Sequence, residues 1–168
     1  MQRLYGRAPS NLRAYACVPH GHYVRVTTVS AIRLSCVFAS DSFVGTMTGK
    51  RFQEWVVECL TPDLNKGDVV VMDNLRSHKD KVALEAIESV GARVLFLPPY
   101  SPDLNPIELV WSKTKAVLRG CAERSVASLP FAVAGAISCI TAEDCIGFFK
   151  HCGYETQQPP ETTFVKMV

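Results

Sequence analysis

The stretch that decides the fold runs from Asp68 to Asp73 and reads DVVVMD. Its four consecutive apolar residues, three of them valine, predict a strand buried on both faces, as the strands of a parallel sheet are. Apolar residues then recur at helical spacing up to Gly91, and Arg93–Leu97 (RVLFL) predicts a second short buried strand. Because strand, helix and strand follow one another so closely, this stretch predicts a right-handed βαβ unit and hence an α/β fold.

The segments on either side complete the predicted domain. Residues 24–32 are rich in β-branched side chains and predict a strand, because such side chains fit a pleated surface. Further elements are a hairpin partner over 34–40 and helices over 50–60, from Pro106 onward, over 125–140 and over 142–149. We therefore predict one α/β domain of strands and helices over residues 1–154, followed by a loose tail over residues 155–168.

The composition limits which classes of protein the chain can belong to. A chain of 168 residues with 48% hydrophobic content can bury one core, and a net charge of +2 neither requires nor excludes nucleic acid. No apolar run approaches the roughly 20 residues of a membrane span, and the first residues lack the apolar core of a signal peptide. The seven cysteines contain no CxxC pair, which argues against a zinc site. These features favour a cytoplasmic protein without a membrane partner.

Two acids stand out against this fold. Asp73 ends a buried strand, at the edge of an α/β sheet where ligands bind. Glu108 lies in the first turn of a helix that the segment PPYSPDLNP introduces, and 34 residues separate it from Asp73. The intervening helix and strand return the chain to the same edge, so the two carboxylates should converge. Hard cations prefer carboxylate oxygens, and two Mg²⁺ ions about 4 Å apart suit phosphodiester chemistry.

Each of these residues also has an ordinary structural interpretation. Asn105 as N-cap and Glu108 three residues later match a capping box. Asp73 could form a turn, Asn74 could be a hydrogen-bonding loop residue, and His78 could be a solvated surface histidine or flank the next helix. The spacing of the two acids, more than either acid alone, indicates a site.

Two long segments resemble a known family. They are VVVMDNLRSHK over residues 69–79 and VLFLPPYSPDLNPIELVWSKTKAVLR over residues 94–119. Both resemble the DDE transposases of the bacterial insertion-sequence branch of the mariner superfamily, which also place 34 residues between their second and third acids. The upstream segments RLYGRAP and VPHGHY resemble further blocks of the family. The resemblance covers residues 3–154, and PYSPDLNPIE is its most specific part.

The resemblance implies a ribonuclease H-like fold, which is a mixed sheet flanked by helices. It also implies that Asp73 is the second catalytic acid and Glu108 the third. Both would bind Mg²⁺ or Mn²⁺ for cleavage at transposon ends and strand transfer into target DNA. Double-stranded DNA is the implied partner, with homo-oligomers or an intact transposase as further ones, at the bacterial nucleoid. Residues expected beside the site or in contact with DNA are Asn74, His78, Asn105, Lys113 and Lys115.

The sequence departs from the family at its start. Relatives carry the first catalytic Asp on an opening strand upstream of RLYGRAP, so we expect this acid and the central strand of the sheet to be missing. The resulting slot would be open, or filled by N-terminal residues or a neighbouring molecule. The acids that do not match the missing one are Asp41, Asp63, Asp68 and Asp103. We therefore expect a transposase fragment that is inactive alone; the alternatives are a non-catalytic DNA- or protein-binding remnant that modulates an intact transposase and, more weakly, another ribonuclease H-like nuclease.

Overall fold

The computed structural model of the chain describes residues 6–15, 24–121, 125–155 and 162–167, the last of these by its backbone alone. The VPHGHY segment and the first residues of RLYGRAP lie outside these ranges.

The described residues form five strands and five α-helices, and each predicted element is present. In chain order these are β1 (Val26–Ile32), β2 (Val37–Val44), α1 (Gly49–Trp55), β3 (Val69–Met72), α2 (Lys81–Ser89), β4 (Arg93–Phe96), α3 (Ile107–Cys121), α4 (Leu129–Ser138), α5 (Ala142–His151) and β5 (Thr162–Met167). A π-helical turn, Val56–Leu60, continues α1. Side chains cap three of the helices: Thr48 accepts from the Arg51 N–H, Asp80 from Ala83, and Thr141 from Asp144.

The strands form a single mixed sheet in the order β2-β1-β5-β3-β4. The hairpin β1–β2 is antiparallel, and β3 and β4 are parallel, as the βαβ pattern predicts. The central strand, β5, is antiparallel to β1 and parallel to β3. The sheet is therefore mixed, with its direction changing at β5.

The position of β5 corrects two expectations from the sequence. Thr162–Met167, which we placed in a loose tail, forms a strand paired on both sides. As predicted, β1 and β3 flank the central slot, but the slot is neither open nor filled by N-terminal residues or a neighbour. The physical reason is that two unpaired strand edges inside a core leave N–H and C=O groups without partners, and β5 satisfies both edges.

Helices cover both faces of the sheet, and the alternation of β3 shows which face carries which core. Val70 and Met72 pack with the core formed by α1 and α2, around Phe52. Val69 and Val71 pack on the other face, with the core that contains Ile107, Val110 and Trp111 of α3. Residue 73 continues the alternation of residues 69 and 71, and so falls on the face covered by α3.

No single helix within the described ranges is long and apolar enough to span a membrane. The bent pair α4 and α5, which meet at 83°, passes the same test of length and composition when the two are taken together.

Candidate active site

Asp73 directly follows β3, at the carboxyl edge of the sheet. Its Oδ1 accepts a hydrogen bond of 3.1 Å from the backbone N–H of Leu75, which closes a short turn after the strand. The side chain is partly buried, with 25% of it exposed. The turn and the strand together hold this carboxylate where the chain leaves the sheet.

Glu108 is positioned by the proline-rich segment that leads into α3. Prolines keep residues 98–101 out of regular structure. A 3-10 turn then covers Pro102–Leu104, and α3 begins at Ile107. The N–H of Glu108 donates to the backbone carbonyl of Asn105 at 3.0 Å. The capping box, which was the ordinary alternative for this pair, is not formed by Asn105, because its buried Oδ1 has no hydrogen-bond partner among the described residues.

The two acids line one pocket of about 180 Å³ at this edge of the sheet. Asn74 and Asn105 line it as well, together with the segment 97–102. The 34-residue spacing therefore does bring Asp73 and Glu108 together, through the helix and strand that lie between them. The pocket combines two carboxylates with amide groups, which makes it rich in oxygen ligands.

His78 is fully buried beside Asp73. Its Nδ1 lies 2.7 Å from Oδ1 of Asp73, and its ring centre lies 4.8 Å from that of Phe52. A carboxylate only accepts hydrogen bonds, so Nδ1 carries the proton in this contact. Nε2 is buried and has no hydrogen-bond partner among the described residues. The interpretation of His78 as a solvated surface histidine is therefore wrong. The His78 ring contacts Asp73 on one side and Phe52 of α1 on the other.

Asn74 links the ends of the two parallel strands. Its side-chain amide donates to the backbone carbonyl of Leu97, which follows β4. This bond fixes the residue after Asp73 to the start of the proline-rich segment. The two sides of the pocket are therefore tied together by one side chain.

The two lysines of α3 differ in their surroundings. Lys113 forms an ion pair with Asp144 in the first turn of α5, with 36% and 26% of the two side chains exposed. Lys115 is partly exposed and forms no ion pair within the described part of the chain. It lies seven residues, about 10 Å along the helix, beyond Glu108. Of the two ammonium groups, that of Lys113 is therefore already engaged by a carboxylate.

The ion pair between α3 and α5 predicts a pH dependence of stability. The hydrogen bond from Lys113 lowers the pKa of Asp144 below its ordinary value of 3.8. A lowered pKa in the folded state stabilises the fold above pH 3.8, and this contribution disappears as the pH falls through the folded-state value. We expect Asp144→Asn to lower Tm at pH 7, and the difference from wild type to shrink in melts recorded below pH 3.8. Glu143→Gln, one residue away, should show no such change; an equal loss at every pH would contradict the pair.

Two of the four acids that the sequence did not match to the site lie away from the pocket. Asp68 is buried before β3, at the opposite end of the strand from Asp73, with Arg33 at 3.6 Å and the N–H of Asn65 donating to it. Asp41 lies on β2, where it is paired with Val29 of β1. Among the residues that the structure describes, no group of three His, Cys, Asp or Glu side chains is close enough to hold a metal. The pocket gathers two acids, not three.

Tyr100 is a pocket residue that the sequence analysis missed. It is fully exposed, and its φ of 57° lies in the left-handed region, which non-glycine residues seldom adopt. Its place between Pro99 and Pro102 was visible in the sequence, but a proline-rich segment does not reveal which side chain points outward. An exposed aromatic ring therefore stands at the rim of the acidic pocket.

A mixed five-stranded sheet covered on both faces, with two carboxylates converging at its edge, defines a ribonuclease H-like α/β domain. The solved structure of the Mos1 strand transfer complex matches with a TM-score of 0.61 at 16% identity, over 90% of this chain and 46% of that one. The chain thus spans about half the length of that protein. A search of curated proteins gives no significant match. A family model described as DDE superfamily endonuclease matches residues 1–129. The chain belongs to this family.

Proposed function

We propose that this chain acts on DNA in transposition, through a divalent-cation site formed by Asp73 and Glu108. The observation that carries the proposal is that two acids from separate elements line one pocket at the carboxyl edge of the sheet. Membership of the DDE superfamily endonucleases supports phosphodiester cleavage as the chemistry. The structurally similar Mos1 protein was solved as a strand transfer complex, and this supports strand transfer as the second reaction.

The residues of the pocket fit a hard cation such as Mg²⁺ or Mn²⁺. Asp73 and Glu108 supply carboxylate oxygens, and Asn105 lines the same pocket with a buried amide oxygen that has no partner among the described residues. When bound, such a cation supplies Lewis acidity toward a phosphodiester.

The neighbouring side chains orient the two acids. His78 donates to Asp73 from within the core, so the carboxylate keeps one orientation. Asn74 holds the start of the proline-rich segment against the end of β3. These two residues do not need to touch DNA to support the site.

Double-stranded DNA is the proposed partner, and the nucleoid is the proposed place of action. Lys115 offers a cation on α3 beyond Glu108, where a phosphate of the backbone could lie. Tyr100 offers an exposed ring on which a base can stack. Lys113, already paired with Asp144, is the weaker of the predicted DNA contacts.

A second function is favoured by one observation. Since the pocket gathers two acids within the described residues, the chain alone can bind a cation more readily than it can cleave DNA. The alternative is therefore a non-catalytic DNA-binding protein that associates with an intact transposase or with itself and modulates its activity.

Thermal melts with Mn²⁺ test the cation site. A cation at a hundredfold excess over its Kd should stabilise the fold by about 2.7 kcal/mol, or raise Tm by roughly 5–10 °C. We expect Asp73→Asn and Glu108→Gln each to remove most of this rise, while Glu85→Gln, on the exposed face of α2, should retain it. A rise that survives in both variants would show that the pocket is not the site. Mn²⁺-dependent nicking of a supercoiled plasmid then separates the enzyme from the non-catalytic alternative.

A further inference from the structure

The turn that ends α5 is a Schellman motif, and it fixes one aromatic side chain. The N–H of Gly153 donates to the carbonyl of Lys150 at 3.0 Å, and the N–H of Tyr154 donates to that of Phe149 at 3.0 Å. Gly153 has a φ of 83°, a left-handed conformation that glycine adopts without strain. The ring of Tyr154 packs edge-on against that of Phe149, with 6.0 Å between the ring centres. The end of the helix therefore holds Tyr154 in a defined orientation.

The hydroxyl of Tyr154 reaches the segment that leads to the pocket. It donates a hydrogen bond of 2.7 Å to the backbone carbonyl of Leu104, 50 residues earlier in the chain. Burial raises the pKa of this phenol above its ordinary value of 10, so the hydroxyl keeps its proton at neutral pH. Asn105 directly follows Leu104, and Glu108 comes three residues later. The bond therefore holds the end of the 3-10 turn from which both pocket residues extend.

α5 contacts the chain on both sides of Glu108. In its first turn, Asp144 forms the ion pair with Lys113 of α3, five residues beyond Glu108. Just past its last turn, Tyr154 bonds to Leu104, four residues before Glu108. The stretch of chain that carries this acid is thus attached to α5 at two points, one upstream and one downstream.

We propose that Tyr154 is a positioning residue of the site: through the Leu104 carbonyl it keeps Asn105 and Glu108 in place relative to Asp73. This role rests on the proposed function, and it falls on a residue beyond the part of the chain that matches the family model, which ends at residue 129. The rigidity of a site is one of the properties that set its affinity for a cation. Water can replace the lost partner of the Leu104 carbonyl, because Leu104 is 40% exposed, but water does not connect the segment to α5.

Mn²⁺ binding to the full chain, followed by the electron paramagnetic resonance signal of free Mn²⁺, tests the proposal together with thermal melts. Tyr154→Phe removes the hydroxyl and keeps the ring. We expect it to weaken binding about tenfold, the lower end of the effect of residues that orient a metal ligand. Its Tm should fall by only a few degrees, since one hydrogen bond is lost. Cys145→Ala, on the buried face of α5, should lower Tm at least as much and leave binding as in wild type.

A second pair of variants moves Tyr154 without changing it. Gly153→Ala puts a side chain at a φ of 83°, so the strained turn should displace Tyr154 and weaken Mn²⁺ binding as Tyr154→Phe does. Gly147→Ala makes the same change in the middle of α5, where an added Cβ lies in open space. It should raise Tm, because alanine favours a helix, and leave binding unchanged.

The outcomes separate this role from the function on which it rests. If Tyr154→Phe and Gly153→Ala bind Mn²⁺ like wild type while Asp73→Asn and Glu108→Gln bind it more weakly, the pocket is the site and Tyr154 does not position it. A loss of affinity in Cys145→Ala equal to that in Tyr154→Phe would also overturn the proposal, since affinity would then follow stability alone. If neither Asp73→Asn nor Glu108→Gln alters binding, the proposed function itself fails.

Discussion

Removal of residues 156–168 is expected to abolish cooperative folding of the chain. The deletion takes away β5, the central strand, which pairs with β1 over four residue positions and with β3 over four more. What remains would be a hairpin and a parallel pair of strands with no strand-to-strand hydrogen bonds between the two. The core residues on both faces of the sheet would then be exposed to solvent where β5 is missing.

The size of this effect follows from the small total stability of a domain. Net stability is about 5–15 kcal/mol, and each lost backbone hydrogen bond costs about 1 kcal/mol before the exposed apolar area is counted. A strand paired along both edges therefore accounts for most of the stability available. The truncated chain should lose its sigmoidal thermal transition and associate through its exposed strand edges.

A peptide of residues 156–168 supplied in trans is the complementary measurement, because a free strand can add to two exposed edges. It should restore the thermal transition of the truncated chain, whereas the same peptide with proline at position 164 should not, since proline cannot donate to the ladder. Phe96→Pro in the edge strand β4 of the full chain is the matched control. The backbone N–H groups of Arg93 and Leu97 donate to carbonyls at the two ends of β3. Because the N–H groups of successive residues in a strand point to opposite sides, the N–H of residue 96 points away from β3. A truncated chain that melts cooperatively at the wild-type Tm would mean that β5 adds nothing to the sheet.

The elements that were predicted correctly are those with a local signal. The run of valines in β3, the helical spacing in α2 and the prolines before α3 each act within a few residues, so the βαβ unit and the approach of Asp73 to Glu108 could be deduced without a structure. The boundaries moved by a few residues, as with β2, predicted over 34–40 and found over Val37–Val44. The mixed sheet followed from the resemblance to a known family.

The central strand could not be placed from the sequence, for a physical reason. Thr162–Met167 contains β-branched and aromatic residues, which favour a strand. Its partners, however, lie in β1 and β3, far away in the chain, and nothing local specifies which slot a short terminal strand enters. Burial of His78 was missed for a similar reason: a histidine flanked by serine and lysine looks solvent-exposed, and only the packing of α1 onto the sheet shows otherwise.

His78→Phe is expected to weaken Mn²⁺ binding about 10- to 100-fold while leaving the fold intact, because residues that orient a metal ligand typically contribute that much. The substitution removes the Nδ1 donor that lies 2.7 Å from Asp73. It keeps an aromatic ring beside Phe52, and it also removes the buried Nε2 that has no partner among the described residues. The larger ring costs about 1–3 kcal/mol through overpacking, and the removal of the unpaired buried Nε2 offsets part of this cost, so Tm should change by only a few degrees.

Binding and stability should therefore respond separately, and that separation is what identifies a positioning residue. Phe52→Leu, on the other side of the His78 ring, is the control: it removes core volume at a cost of about 1–3 kcal/mol but leaves the bond to Asp73 in place. It should lower Tm and leave Mn²⁺ affinity unchanged. If instead His78→Phe binds Mn²⁺ as tightly as wild type, Asp73 is held by the Leu75 N–H and its strand alone, and His78 serves only to fill the core. The Mn²⁺ titration, read against the melt of each variant, distinguishes the two roles of this buried ring.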